Sequence, residues 1–172
     1  KSPPNDVWYF QFPKKFHGWH GIVYGGRLEF DLSSFGGDFS PEKLNVPGKQ
    51  VNLVEIDCVK CRLNKGITIG FPLDATNGFD GNTTYFSFQL VESSGWLKDP
   101  GSTLLDWTLP TKCEMIEVLS GISAVRVLGD FTTWYENTSI DNVRFVLDET
   151  KGRYQLPKCA QITPDARKCN CK

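Results

Sequence analysis

The chain has 172 residues, of which 40% are hydrophobic and 23% are charged, as in a globular domain with one hydrophobic core. Its 19 basic and 20 acidic residues give a net charge of −1, so it lacks the concentrated positive field that attracts nucleic acid or an anionic membrane. No apolar run approaches the roughly 20 residues that cross a bilayer. We therefore predict no nucleic-acid partner and no membrane insertion.

Cysteines and glycosylation sequons together indicate an extracellular protein, secreted or at the cell surface. The cysteines are Cys58, Cys61, Cys113, Cys159, Cys169 and Cys171, and the sequons are Asn82-Thr83-Thr84 and Asn137-Thr138-Ser139. An even cysteine count in such a chain favours disulfides over free thiols, although it does not reveal their connectivity. We predict that all six cysteines are oxidised or paired within a larger assembly, and that Asn82 and Asn137 carry N-linked glycans. The opening residues lack a signal peptide, so the signal of a secreted form was removed or lies outside this chain.

The predicted elements are mainly short strands. Leu28, Phe30 and Leu32 alternate with charged residues in a pattern that extends back to Ile22 and Tyr24, which gives one buried and one wet face. Gly25-Gly26 interrupts this pattern and predicts a bulge or a close backbone contact. Further strand-like stretches occupy residues 51–53, 67–73, 86–90, 125–127 and 143–147. Several short strands separated by Gly, Pro and Asn predict an all-β sandwich or jelly roll.

One segment predicts a helix, and the end of the chain predicts a separate tail. Thr111 and Glu114 fit a capping box, and apolar residues then recur at helical spacing to Ile122, with Gly121 as a stop. Residues 158–172 hold three of the six cysteines and almost no large apolar side chains, so disulfides must order them. We therefore divide the chain into a domain over residues 1–157 and a cysteine-rich tail over residues 158–172.

Several motifs occur in the order seen in one extracellular family. They are Trp8-Tyr9-Phe10, Pro13-Lys14-Lys15-Phe16-His17-Gly18, Tyr24-Gly25-Gly26-Arg27-Leu28-Glu29-Phe30-Asp31-Leu32, Gly95-Trp96, Glu114-Met115-Ile116-Glu117-Val118-Leu119, Ile122-Ser123-Ala124-Val125-Arg126-Val127 and Ile140-Asp141-Asn142-Val143. This series resembles laminin domain IV, also called the laminin B domain. The resemblance implies a jelly roll of the galactose-binding-like type with one short helix. Cys169-Asn170-Cys171 resembles the start of an EGF-like segment, whereas the internal cysteines depart from the family pattern.

The motif Cys58-Val59-Lys60-Cys61 has a structural and a functional interpretation. A CxxC pair can form a redox centre or half of a zinc site. The second half of a zinc site is absent from the sequence, and the motif lies in strand-like sequence rather than at a strand-to-helix turn. A structural disulfide is therefore the favoured interpretation.

The candidate catalytic residues do not have the spacing of known catalytic motifs. Glu55-Ile56-Asp57 is similar to part of the E-x-D-x-x-E strand of jelly-roll glycanases, but Lys60 occupies the position of the second glutamate. No G-x-S-x-G elbow occurs, and both histidines, His17 and His20, fall in one loop. We therefore predict that the chain has no catalytic residues and is not an enzyme.

Candidate metal and ligand sites are also weak. His17 and His20 could begin a metal site, but no third ligand is fixed by the sequence. A loop containing Asp74, Asn77, Asp80 and Asn82 has the composition of ordinary turns. We predict no cofactor and leave open a structural calcium ion, for which Asp141 is the better candidate. Aromatic residues that could stack on sugars if exposed are Trp19, Trp96, Trp107 and Trp134.

The leading prediction is a non-catalytic structural or interaction module of a larger secreted or cell-surface glycoprotein. Its partners would be other extracellular proteins or glycans. The alternative is a carbohydrate-binding, lectin-like jelly roll, which an exposed coplanar pair of aromatic rings beside polar side chains would favour. A secreted hydrolase would need a convergent pair of carboxylates in a cleft.

Overall fold

The computed structural model of the protein describes residues 7–36, 51–73, 79–102, 104–132 and 136–148. The strands in these ranges are β1 (Tyr9–Gln11), β2 (Arg27–Phe35), β3 (Asn52–Cys58), β4 (Ile67–Pro72), β5 (Thr84–Gln89), β6 (Leu97–Lys98), β7 (Ala124–Leu128) and β8 (Asn137–Val146). They are joined by 3-10 helices at Lys14–Phe16 and Gly21–Val23, a helical turn at Cys61–Asn64 and the helix α1 (Lys112–Leu119). The predicted boundary at Pro157 and the tail 158–172 lie outside the described residues.

The strands form two antiparallel sheets. The order is β1-β7-β3-β4-β6 in the five-stranded sheet and β5-β2-β8 in the three-stranded sheet. β2 lies at the centre of the smaller sheet, between β5 and β8, and its alternating sequence buries Leu28, Phe30 and Leu32 completely on one face. The opposite face of β2 carries its charged residues.

The two sheets pack against each other around an aromatic core. The ring centroids of Phe71 on β4 and Phe88 on β5 lie 4.5 Å apart, so they join the five-stranded sheet to the three-stranded one. Trp96 is fully buried beside Phe71, with ring centroids 5.5 Å apart. The indole N–H of Trp96 donates to the main-chain oxygen of Gln89 at 2.8 Å, which satisfies its only polar atom. This arrangement confirms the predicted all-β sandwich.

Helix α1 begins at the predicted capping box. The amide of Glu114 donates to the hydroxyl of Thr111 at 3.2 Å, and the amide of Thr111 donates to the Glu114 carboxylate at 2.9 Å. The helix has eight residues and ends at Leu119, so it is shorter than the sequence pattern predicted. Ile122 lies beyond the helix, where its side chain is buried in the core and its main chain pairs with Gly18 in a short antiparallel bridge.

The Gly25-Gly26 pair is confirmed as a position of close backbone approach. A β-carbon placed on Gly26 would lie 2.1 Å from the main-chain oxygen of Val146, and Gly25 has a φ of 86°. The sequence predicted that the alternating strand pattern extends back to Ile22 and Tyr24, and this prediction was wrong, because β2 begins at Arg27, after the glycine pair. Ile22 lies in a 3-10 helix with its side chain 54% exposed.

Candidate functional site

The outer face of the three-stranded sheet carries a grid of polar side chains. Pairing between strands places Glu29 of β2 beside Ser87 of β5 and Arg144 of β8. Arg27 pairs with Gln89 one step along the sheet. These side chains point away from the core because the residues between them on β2 are buried. We call this surface the polar face.

Glu29 is the centre of the polar face and is almost completely covered. Its side chain is 5% exposed, because the two arginine side chains and Tyr85 lie over it. The Nε of Arg27 lies 3.3 Å from one carboxylate oxygen, and the Nε of Arg144 lies 2.8 Å from the other. The hydroxyl of Tyr85 and the guanidinium of Arg144 hold the pKa of Glu29 below its ordinary value, against the opposing effect of burial.

A cleft of ≈ 590 Å³ opens beside this cluster, at the end of the sheet where β2 begins. Gly25, Gly26 and Arg27 line one side, Ser87 and Gln89 another, and residues 146–148 the third. Its volume lies within the range of small-molecule sites. Sequence reasoning missed this cleft because Ser87 and residues 146–148 come to Arg27 only through strand register.

A second charged cluster on the other sheet accounts for the E-x-D motif. Arg126 of β7 lies 2.9 Å from the carboxylate of Glu55 and 2.7 Å from that of Asp57, both on β3. The hydroxyl of Thr68 also donates to Asp57 at 2.8 Å. Both carboxylates are therefore held by an ion pair, and the exposed Lys60 lies beyond the end of the strand.

The cysteines of the CxxC motif form a disulfide. Cys58 and Cys61 are bonded to each other and are each 2% exposed. The turn that follows has left-handed backbone torsions at Arg62, Leu63 and Asn64, with φ values of 50°, 59° and 68°. Cys113 is also disulfide-bonded, and no free cysteine occurs among the described residues. Cys159, Cys169 and Cys171 lie outside them.

Both sequon asparagines are exposed and lie at the same end of the three-stranded sheet. Asn137 is the first residue of β8 and pairs with Phe35, the last residue of β2. Asn82 lies two residues before β5, and its side-chain amide donates to Asp80 at 2.8 Å. This end is opposite the cleft. Glycosylation of both asparagines stays a prediction.

The aromatic candidates divide between core and surface. Trp96 is buried, Trp107 is half-buried, Trp19 is 41% exposed, and Trp134 lies outside the described residues. Exposed Trp8 meets Phe10 edge to face, with 74° between the ring planes. Among the described aromatic pairs, none combines exposure with coplanar rings, which is the feature that would favour a stacking lectin site.

The metal candidates are not brought together. His17 and His20 lie in one loop, where a ring nitrogen of His20 contacts the main-chain oxygen of His17 at 3.2 Å. The carboxylate of Asp141 accepts from the amide of Asn142, whose side chain donates to Asp31. Within the described ranges, no group of three or more His, Cys, Asp or Glu side chains could hold a metal ion. Asp74 and Asn77 lie outside those ranges.

The two-sheet arrangement defines a laminin domain IV-like β-sandwich. The chain is similar to the solved structure of the L4b domain of human laminin alpha-2, with a TM-score of 0.66 and 14% sequence identity, covering 83% of this chain and 71% of that chain. This likeness confirms, at the level of the fold, the resemblance found in the sequence. No family model and no curated protein matches the chain.

Proposed function

We propose that the chain is a non-catalytic structural or interaction module of a larger secreted or cell-surface glycoprotein. The observation that carries this proposal is the similarity of the fold to the L4b domain of human laminin alpha-2. The Cys58–Cys61 disulfide and the exposure of both sequon asparagines support an extracellular location. None of the helices in the described ranges is long and apolar enough to cross a membrane.

The placement of Glu29, Glu55 and Asp57 supports a non-catalytic role. Glu55 and Asp57 share Arg126, and Glu29 is covered by Arg27 and Arg144. A general acid for glycoside hydrolysis needs a raised pKa, whereas arginine neighbours stabilise the charged form of a carboxylate. The carboxylates in these two clusters are therefore suited to holding strands together.

A binding measurement tests the proposal. The secreted chain, displayed as a fluorescent tetramer, is added to cultured cells and to the extracellular matrix that they deposit. We expect saturable binding to the cells or to the matrix, and unchanged binding by the double variant Glu55→Gln/Asp57→Asn. The tetramer should also release no reducing ends from a panel of polysaccharides. Absence of saturable binding to both surfaces, or release of sugar that the double variant abolishes, would overturn the proposal.

A further inference from the structure

We propose that the cleft beside the polar face binds a neutral saccharide unit. The proposal deepens the proposed function, since it names the ligand class of the interaction module and rests on that function. The cleft lies between Arg27, the exposed side chains of β5 and residues 146–148.

Taken together, the polar groups at the cleft can both donate and accept hydrogen bonds. Arg27 and Gln89 are exposed at its wall, and Ser87 lies beside them on β5. A guanidinium only donates, whereas an amide and a hydroxyl both donate and accept. Sugar hydroxyls also do both, so a saccharide can satisfy this mixed set where an apolar ligand would leave it unpaired.

Arg27 and the main chain at Gln89 are held in place before any ligand arrives. Arg27 is fixed through its Nε by Glu29 at 3.3 Å, which leaves the terminal nitrogens of a side chain that is 55% exposed. The main-chain oxygen of Gln89 accepts from the indole of Trp96 at 2.8 Å and from the hydroxyl of Ser94 at 2.6 Å. Such pre-organisation lowers the entropy that a weakly binding ligand must overcome.

The charge balance of the polar face favours a neutral ligand over an anion. Arg27 and Arg144 supply two positive charges, and Glu29 between them cancels one. Asp31 and Asp141 lie opposite each other on the next cross-strand row. Among the described residues of the polar face, acidic side chains thus outnumber the arginines, which opposes the approach of a sulfate or carboxylate.

The position of the sequons leaves the cleft accessible. Asn137 pairs with Phe35 at the last residue of β2, whereas the cleft begins at Arg27, the first residue of that strand. Nine residues of extended chain place these ends roughly 26 Å apart. Glycans at Asn82 and Asn137 would therefore cover the opposite end of the sheet.

An array of immobilised neutral and acidic oligosaccharides tests the proposal, with the chain displayed as a tetramer so that weak binding is detected. We expect binding to a subset of neutral oligosaccharides only. Gln89→Ala and Arg27→Ala should each weaken it by about tenfold, because each removes hydrogen-bonding groups from the wall of the cleft. Gln11→Ala changes an exposed glutamine on β1 of the other sheet and is the matched control, with binding unchanged. Melting curves establish that each variant is folded.

No binding to the array, binding to acidic oligosaccharides alone, or binding that folded Gln89→Ala and Arg27→Ala leave intact would overturn the saccharide site. If the tetramer still bound matrix saturably in that case, the proposed function would stand without this inference. If the tetramer bound neither the array nor the cells and matrix, the proposed function and the saccharide site would both be overturned.

Discussion

Gly26 and Val146 approach so closely that a β-carbon on Gly26 would lie 2.1 Å from the main-chain oxygen of Val146. A real β-carbon needs the strand to move, and β8 is held by its register with β2. We predict that Gly26→Ala lowers the free energy of unfolding by about 3 kcal/mol or more, and that Gly26→Val prevents folding. Denaturant unfolding measures the loss.

Gly18 supplies the control for this prediction. It has a φ of 92°, but no atom lies within 4 Å of a β-carbon placed there. Gly18→Ala should therefore lower the free energy of unfolding only through the strain of a left-handed backbone at alanine, by about 1–2 kcal/mol. Equal losses in Gly18→Ala and Gly26→Ala would contradict the close contact as the reason for the glycine.

Replacing Leu28 tests the packing of the core between the two sheets. Its side chain is fully buried, so Leu28→Ala leaves a cavity and should cost about 2–5 kcal/mol. Leu104→Ala removes the same atoms from a side chain that is 92% exposed and should cost less than about 0.5 kcal/mol. The two midpoints of urea unfolding give the comparison, and a small loss in Leu28→Ala would show that the sheets are not packed as described.

The lowered pKa of Glu114 implies that the stability of the fold depends on pH. Burial alone would raise its pKa, but hydrogen bonds from Lys98, the Thr111 amide and Arg62 lower it to about 2. Because the pKa in the folded state lies below the ordinary value of 4.5, this stabilisation is present above about pH 4.5 and is lost as the pH falls toward 2. Glu114→Gln should therefore destabilise the fold at pH 7, by about 1–3 kcal/mol, and much less at pH 2.

Unfolding measured at both pH values checks this prediction. Asp106→Asn is the control, since Asp106 is an exposed carboxylate shortly before α1 and its loss should matter little at either pH. A cost of Glu114→Gln that is the same at pH 7 and pH 2 would contradict the role of its charge.

The features that the sequence predicted are those that depend on neighbours along the chain. Thr111 and Glu114 are three residues apart, so their capping box is visible without a tertiary structure. Glu29 and Arg144 are 115 residues apart and meet only through the register of β2 with β8, so the polar face could not be predicted. The left-handed turn at Arg62 was also missed, because it depends on the amide of Arg62 donating to Glu117 at 2.9 Å.

The Cys58–Cys61 disulfide should make a modest contribution to stability. It closes a loop with a sequence separation of only three residues, for which the chain-entropy model gives about 2 kcal/mol. Cys58→Ala/Cys61→Ala should remain folded and lose about that amount in denaturant unfolding. Complete loss of the folded state would indicate that the bond is essential rather than supporting, and no loss at all would indicate that the pair is reduced in the native protein.

The intact mass of the chain secreted from cells, after alkylation under denaturing, non-reducing conditions, tests the extracellular assignment most directly. We predict no alkylated cysteine and two N-linked glycans, of which Asn82→Gln and Asn137→Gln each remove one. This result requires that Cys58, Cys61, Cys113, Cys159, Cys169 and Cys171 are all paired. Two or more alkylated thiols, or unmodified asparagines at both positions, would contradict the account of this chain as an extracellular module.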